Sequence, residues 1–329
     1  MAVLDYRGLQ KRIRAAQKTQ QITKTMQMVS ASRLKKSQEK FFQAKPYQDH
    51  VAFILSHLQQ TGLELPHPFF AHREPKSIAL VLVTSDRGLC GTYNANVIHY
   101  AETVLKQQAC KAQWVLIGKK GDDYFKKRSA PIFASYLDLA GKTDYGRIAQ
   151  ITQRLTDAYL AGQFDAIYLI YTRYKSVLSI YPASTKLLPI DIEAGTAPDG
   201  NPHLPKANIS PAGVVGASAR DEDDAASSDK GTKKGPGFAP PYASTTYLEP
   251  SCEAILGDLL PTYIASKIYV SLMEAFTAEN SARMIAMKNA TDNAKEMIRH
   301  LTLLRNKARQ AAITKELLEI VTAGEALKR

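Results

Sequence analysis

Between Thr262 and Thr322 the chain contains neither proline nor glycine. That stretch restricts the possible folds more than any other feature. Alternating steps of four and three connect Ile255, Leu259, Thr262, Ser266, Tyr269, Met273, Phe276, Asn280 and Arg283. They continue unbroken through Met287, Ala290, Ala294, Met297, Leu301, Leu304, Ala308, Ala311 and Lys315 to Leu318. These are helical intervals with a heptad repeat. At ~1.5 Å per residue the helix is about 90 Å long, too long for a small globular core. A helix of that length needs a helical partner for its seam. The seam carries alanines, methionines and polar residues (Asn280, Arg283, Lys315) where a dimeric zipper carries leucine and isoleucine. Small residues allow close approach and polar ones favour one register, so the pattern reads as an asymmetric pair within one chain.

The N-terminal segment is the available partner. From Ala2 to Gln60 the only helix breakers are Gly8 and Pro46. Apolar or small residues recur at Ile22, Met26 and Val29, then at Phe41, Ala44, Val51, Leu55 and Leu58. Pro46 is expected to bend this helix or lie near a break, since it lacks an N–H. Before Pro46 the chain carries Arg7, Lys11, Arg12, Arg14, Lys18, Lys24, Arg33, Lys35, Lys36, Lys40 and Lys45 against only Asp5 and Glu39. Such an arm suits nucleic acid, anionic lipid or an acidic protein surface, or it is a solvated helix face.

The middle of the chain changes period. Ser77 to Thr84 is a continuous apolar run ending in Ser85-Asp86-Arg87-Gly88, the pattern of a buried parallel strand. A helix over Asn94–Gln108, a strand over Trp114–Ile117 and a helix near Asp122–Lys127 follow. Next come an amphipathic segment over Asp144–Leu160 and strands over Ala166–Thr172 and Val177–Tyr181. Strands alternating with helices predict a small, open, Rossmann-like α/β domain. Residues 194–243 are rich in Pro, Gly, Ala, Ser and Asp, with no aliphatic periodicity, and read as a flexible insert. The expected division is a helix over 1–60, an α/β domain over 61–193, the insert over 194–243 and a second helix over 244–329.

Several function classes drop out. The longest aliphatic run is Ile78–Val83, far short of the ~20 residues of a membrane span. Met1–Gln10 has no apolar core of a signal peptide, so the chain is expected to stay where it is made. The 3 cysteines, Cys90, Cys110 and Cys252, are widely spaced and form no CxxC pair. No metal site or cofactor site is expected.

The candidate motifs are few. Ser85–Gly91 (SDRGLCG) after a strand is either a phosphate loop or a tight strand-to-helix turn, and it lacks G-x-G-x-x-G spacing. Gly141-Lys142-Thr143 resembles the end of a Walker loop, but Tyr136 stands where that motif requires glycine. No Ser/His/Asp or Cys/His set can be assembled around the 7 histidines, so no catalytic residue is assigned. Late in the long helix, Asn306–Thr314 places Arg309, Gln310 and Thr314 on neighbouring faces. There they either make directed hydrogen bonds to a partner loop or face solvent.

Four segments in chain order resemble the gamma subunit of F-type ATP synthases of bacterial type. They are Ile22–Val29 with Ala31-Ser32, then Ser85–Gly91, then Asn280–Met284 continuing to Ala290–Asn293, and Asn306–Thr314 with Glu316 and Glu319. The resemblance implies that the terminal helices form an antiparallel coiled coil inside a ring of alpha and beta subunits. The α/β domain becomes a foot on the epsilon subunit and the membrane c-ring. The chain itself is then non-catalytic. It is a rotor of the F1 sector that links proton- or sodium-driven c-ring rotation to ATP chemistry on the beta subunits. Carried over by motif, Lys24, Met26, Arg309, Gln310 and Thr314 contact the beta subunits, and Glu249 approaches the c-ring and epsilon. The basic arm then meets an acidic protein surface instead of nucleic acid. The implied location is peripheral, on the cytoplasmic face of the bacterial inner membrane.

Two departures stand out. Ala323-Gly324 reverses the family's Gly-Ala, and the charged tail Glu325–Arg329 follows it. The insert sits where chloroplast members carry a regulatory dithiol, yet it contains no cysteine, which excludes thiol control by that route.

Overall fold

The computed structural model describes residues 6–60, 67–71, 73–108, 110–139, 145–191 and 252–326. Two helices dominate: α1 (Tyr6–Gln60, 55 residues) and a C-terminal helix of 75 residues, Cys252–Ala326. Between them lie β1 (Ser77–Val83), α2 (Tyr93–Gln107), β2 (Lys111–Ile117), α3 (Lys119–Lys127), β3 (Ile132–Tyr136), α4 (Tyr145–Leu160), β4 (Ala166–Tyr174) and β5 (Ile180–Leu188). The C-terminal helix is α5. At ~1.5 Å per residue it is about 110 Å long.

The strands form one sheet in the order β3-β2-β1-β4-β5, parallel except for β5, which runs antiparallel to β4. The central strand β1 is buried throughout after Ser77, which explains its unbroken apolar run. Its alternate side chains serve two cores. Ile78, Leu80 and Leu82 pack with Val97, Ala101 and Val104 of α2 and with Phe125 of α3. Ala79, Val81 and Val83 face Ile148, Ile151 and Leu155 of α4 and Leu260, Ile264 and Ile268 of α5. The long helix is thus a layer of the α/β domain at its base and a partner of α1 beyond it.

The two long helices run antiparallel. Thr291 Oγ1 donates to Thr23 Oγ1 at 2.8 Å, while further along α1 Lys45 lies near Glu274. Buried positions on α1 are Leu9, Ile13, Ala16, Thr23, Ser30, Leu34, Phe41, Val51, Leu55 and Leu58, with Gln20, Gln27, Gln38, Ala44 and Gln48 half-buried. Phe41 to Leu58 agree with the expected face. The upper half of α1 does not. Ile22 and Val29 are 60% and 47% exposed, and Met26 is only half-buried. The seam there runs one residue away, through Thr23, Gln27 and Ser30. Small polar side chains let α5 approach and satisfy their hydroxyls locally, with Ser30 Oγ donating to the Met26 carbonyl at 2.8 Å.

The α5 register also differs from the expected one. Met297 is 58% exposed, and the neighbouring Ile298 is half-buried in its place. Beyond Ala308 every residue to Gly324 is exposed, including Ala311, Lys315 and Leu318. Counting from the Thr23–Thr291 pair, the described start of α1 at Tyr6 lies level with Ala308, so no partner helix flanks the tip among the described residues.

Other differences are local. Pro46 sits inside α1, which continues through it, and the His50 ring nitrogen Nδ1 lies 2.6 Å from the Pro46 carbonyl. Helix α5 begins at Cys252 and passes through Gly257 and Pro261, ahead of the uninterrupted stretch. Strand β3 was not foreseen, because only Ala134 in it is buried and the alternation is weak. The expected strand Val177–Tyr181 is instead a hairpin turn followed by β5. Lys175 and Ser176 N–H both bond to the Ser179 carbonyl, at 3.1 Å each. The insert 194–243, Gly141–Thr143 and Glu249 lie outside the described residues.

Candidate functional site

The Ser85–Gly91 turn is a clamp on α5. Ser85 is fully buried, and its N–H donates to Asn94 Oδ1 at 3.0 Å. Ser85 Oγ reaches the Arg87 carbonyl at 2.7 Å, and Asn94 Nδ2 reaches Cys90 Sγ at 3.2 Å. The Asp86 carboxylate accepts from the N–H groups of Lys119 (3.1 Å) and Asp138 (3.3 Å). Ser85 and the Asp86 carboxylate are therefore engaged within the protein, and the loop carries a carboxylate where a phosphate cradle needs donors. Of the two readings of this motif, the structural turn is correct.

What the turn presents outward is two carbonyls. Arg283 Nη2 donates to the Arg87 carbonyl and Nε to the Gly88 carbonyl, both at 3.3 Å. The same guanidinium pairs with Glu279 at 2.6 Å, one turn earlier on α5. Both side chains are below a tenth exposed. Burial pushes the Glu279 carboxyl up, and Arg283 opposes that shift. Around this pair, Tyr93 Oη donates to the Ala275 carbonyl (3.2 Å) and Ser281 Oγ to the Val177 carbonyl of the hairpin (2.6 Å). The motifs Ser85–Gly91 and Asn280–Met284 are thus two sides of one joint.

A second set of bonds fixes both long helices to β4. Gln38 Nε2 donates to Tyr174 Oη at 2.6 Å, and Tyr174 N–H donates to Glu274 Oε1 at 3.0 Å. Burial raises the Glu274 carboxyl. Sequence reasoning named Arg283 as a polar seam position and as part of the Asn280–Met284 motif, and missed Glu279, Glu274, Gln38 and Tyr174. The opposite charges of Glu279 and Arg283 at helical spacing were the one available signal.

The remaining site residues lie along the shaft. Arg309, Gln310 and Thr314 occupy the bare tip, all exposed, with Thr314 Oγ1 turned back onto the Gln310 carbonyl at 3.0 Å. Large apolar side chains share that tip: Ile313, Leu317, Leu318, Ile320 and Val321 are 50% to 68% exposed. Lys24 is exposed and Met26 half-buried, nearly level with Thr291. That is about 30 Å below Arg309 along the axis, so the five residues form two separate levels. The basic residues Lys11, Arg12, Arg14, Lys18 and Lys24 all point to solvent.

Among the described residues there is no group of three His, Cys, Asp or Glu side chains able to hold a metal. No described helix is long and apolar enough to cross a membrane. Cys90 is buried and Cys110 half-buried.

Comparison with known proteins covers almost the whole chain. The family model described as ATP synthase matches residues 5–327. The ATP synthase gamma chain of Heliobacterium modesticaldum is 39% identical over 321 residues, 98% of each chain. That of Pelotomaculum thermopropionicum is 35% identical over 322 residues, 98% of this chain and 99% of its own. Among solved structures, the Euglena gracilis mitochondrial ATP synthase in rotational state 3 includes a chain with a TM-score of 0.59. It is 18% identical, and the match covers 98% of this chain and 94% of that one. The rotor of the same enzyme in rotational state 1 gives a TM-score of 0.56 at 16% identity, covering 94% and 98%.

Proposed function

The chain belongs to the ATP synthase gamma-chain family, and from that premise we propose that it is the central shaft of an F1 rotor, without catalysis of its own. The observation that carries the reading is the pairing of a bare helix tip with a clamped base. One end of α5 is exposed on all sides beyond Ala308, while the other end is a layer of the α/β foot. Torque applied at the foot enters α5 through the Arg283 and Glu274 joints. It is carried by a helix pair that resists twisting.

The tip works inside the ring of alpha and beta subunits. Arg309 and Gln310 offer directed donors to carboxylates or carbonyls on a beta subunit, and Thr314 lies one turn on. Lys24 and Met26, at the lower level, meet the beta subunits together with the basic face of α1, whose complement is an acidic protein surface. Each angular position then favours a different beta conformation, which couples rotation to ATP synthesis or hydrolysis. The foot rests on the epsilon subunit and c-ring, with Glu249 on the c-ring side. The working division is helix 1–60, foot 61–193, insert 194–243 and helix 244–329. The chain is peripheral, held at the cytoplasmic face of a bacterial inner membrane through the complex.

The test is single-molecule rotation. The chain is assembled with its alpha and beta subunits, the ring is anchored, and a bead is attached to the foot. MgATP should drive unidirectional stepping. An assembled complex that hydrolyses ATP without turning the bead overturns the proposal.

A further inference from the structure

The two shaft helices are attached to the foot very differently. Helix α5 is bonded to it at several levels: Arg283 to the Arg87 and Gly88 carbonyls, Ser281 to Val177, and Lys267 to the Lys186 carbonyl. Helix α1 joins the core of the foot only at its lower end, through Phe41, Leu55 and Leu58. Among the described residues no α1 side chain above Phe41 belongs to that core, and Gln38 is the one α1 side chain that hydrogen-bonds the α/β domain. Counting from the Thr23–Thr291 pair, Gln38 lies level with Phe276, where α1 rises out of the foot.

Its partner there is Tyr174, the last residue of β4, whose backbone is paired with Ile180 of β5. The Tyr174 ring packs against Cys90, Tyr93 and Ala278, so foot and α5 both hold it. Its N–H donates to Glu274 Oε1 of α5 at 3.0 Å, and its hydroxyl accepts from Gln38 Nε2 of α1 at 2.6 Å. One residue of the sheet is therefore bonded to both helices at one level. Apolar contact resists separation without fixing direction, whereas a hydrogen bond holds both a distance and an angle.

We propose that Tyr174 is the positioning residue that makes α1 turn in phase with α5. The inference rests on the rotor reading above. Torque from the foot reaches α5 through many bonds and reaches α1 through the Tyr174 hydroxyl. Lys24 and Met26 ride on α1, while Arg309 and Gln310 ride on α5. The bond to Gln38 keeps these two levels at a fixed relative angle.

The test uses the complex assembled with its alpha and beta subunits, the ring anchored and a bead on the foot. The angular variance of the bead during the ATP-waiting dwell is compared for wild type, Tyr174→Phe, Gln38→Leu, the double variant and Gln38→Glu. Each of Tyr174→Phe and Gln38→Leu is expected to raise the variance at least about 1.5-fold, with the double variant no higher than either, because both remove one bond. Gln38→Glu, whose carboxylate accepts from the Tyr174 hydroxyl, should stay near wild type. Equal variance in all rotating complexes, or additive effects in the double variant, overturns the proposal alone. A lower melting temperature of the free chain with unchanged variance assigns Tyr174 to fold stability and also overturns it. A wild-type complex that does not rotate overturns the rotor reading and this inference with it. If Gln38→Leu does not assemble, Tyr174→Phe and Gln38→Glu decide.

Discussion

Arg283 of the shaft and Gly88 of the foot stand 195 positions apart in sequence, and the guanidinium Nε donates to the glycine carbonyl at 3.3 Å. The bond joins the long helix to the foot through a charged side chain. Because the guanidinium also neutralises buried Glu279, its loss has two consequences, a broken joint and an isolated buried charge.

Arg283→Ala is therefore expected to destabilise the chain by about 3–5 kcal/mol. Arg283→Ala with Glu279→Gln should recover part of that loss, since no charge is then left buried. The sign of the pH effect follows from the raised carboxyl of Glu279. A group with a raised folded pKa contributes stability that is present at low pH and lost as pH rises through that value. The Arg283→Ala deficit should shrink on acidification. Urea unfolding of the four proteins of this cycle at two pH values measures both effects, and a pH-independent deficit counts against the assignment.

Two glycines of the foot should respond oppositely to alanine. Gly118 has φ +99, and a Cβ there would sit 2.1 Å from the Thr84 carbonyl oxygen. Gly118→Ala combines backbone strain with a clash against backbone and should cost more than about 3 kcal/mol. Nothing lies within 4 Å of a Cβ at Gly88, and its φ is not positive. Gly88→Ala should leave stability unchanged or raise it by up to about 1 kcal/mol. Thermal melting of both variants checks the contrast.

Lys267 supplies a pH dependence in the opposite range. Its Nζ donates to the Lys186 carbonyl at 3.0 Å and lies 5.5 Å from the Tyr263 ring centre. Burial lowers its pKa to about 8, with Asp191 opposing the shift. The unfolded chain thus binds more protons than the folded one between that value and the ordinary lysine range, and stability from this group rises with pH across that interval. Lys267→Met should flatten the rise between pH 8 and pH 10, values taken from about 8 and the ordinary ~10.4. Denaturation midpoints compared at those two pH values are the measurement.

The bare tip separates folding from assembly. Arg309, Gln310, Leu317 and Val321 are exposed, so alanine at any of them should change the stability of the free chain by less than about 0.5 kcal/mol. The same substitutions at Arg309 and Gln310 should lower rotation torque or ATP turnover in the assembled complex. A large loss of stability in the free chain would mean that the tip has a partner within this protein.

The long helices were legible because periodicity over many turns is a local property. Every step from Met273 to Ala294 repeats on one face whatever lies opposite. Strand β1 was legible for a similar reason, since burial on both faces requires an apolar residue at each position from Ile78 to Val83. Register was not. Ile22 and Val29 are the more apolar residues, yet Thr23 and Ser30 form the seam, because α5 approaches along the line set by Leu9, Ile13 and Leu34. Hydrophobicity at single positions cannot choose between faces one residue apart when close packing favours the smaller side chain.

By itself the sequence determined two long helices around an α/β middle, the apolar core strands and the motif order that marks the family. Tertiary structure alone decided how these parts act on one another. It brought Ser85–Gly91 to Arg283, turned a glycine-rich loop into a mechanical clamp, and left the α5 tip bare where the described α1 ends. The physical reason is range. Helix and strand periods are set by neighbours a few residues apart, whereas a hydrogen bond across 195 positions depends on the placement of the whole sheet against the shaft.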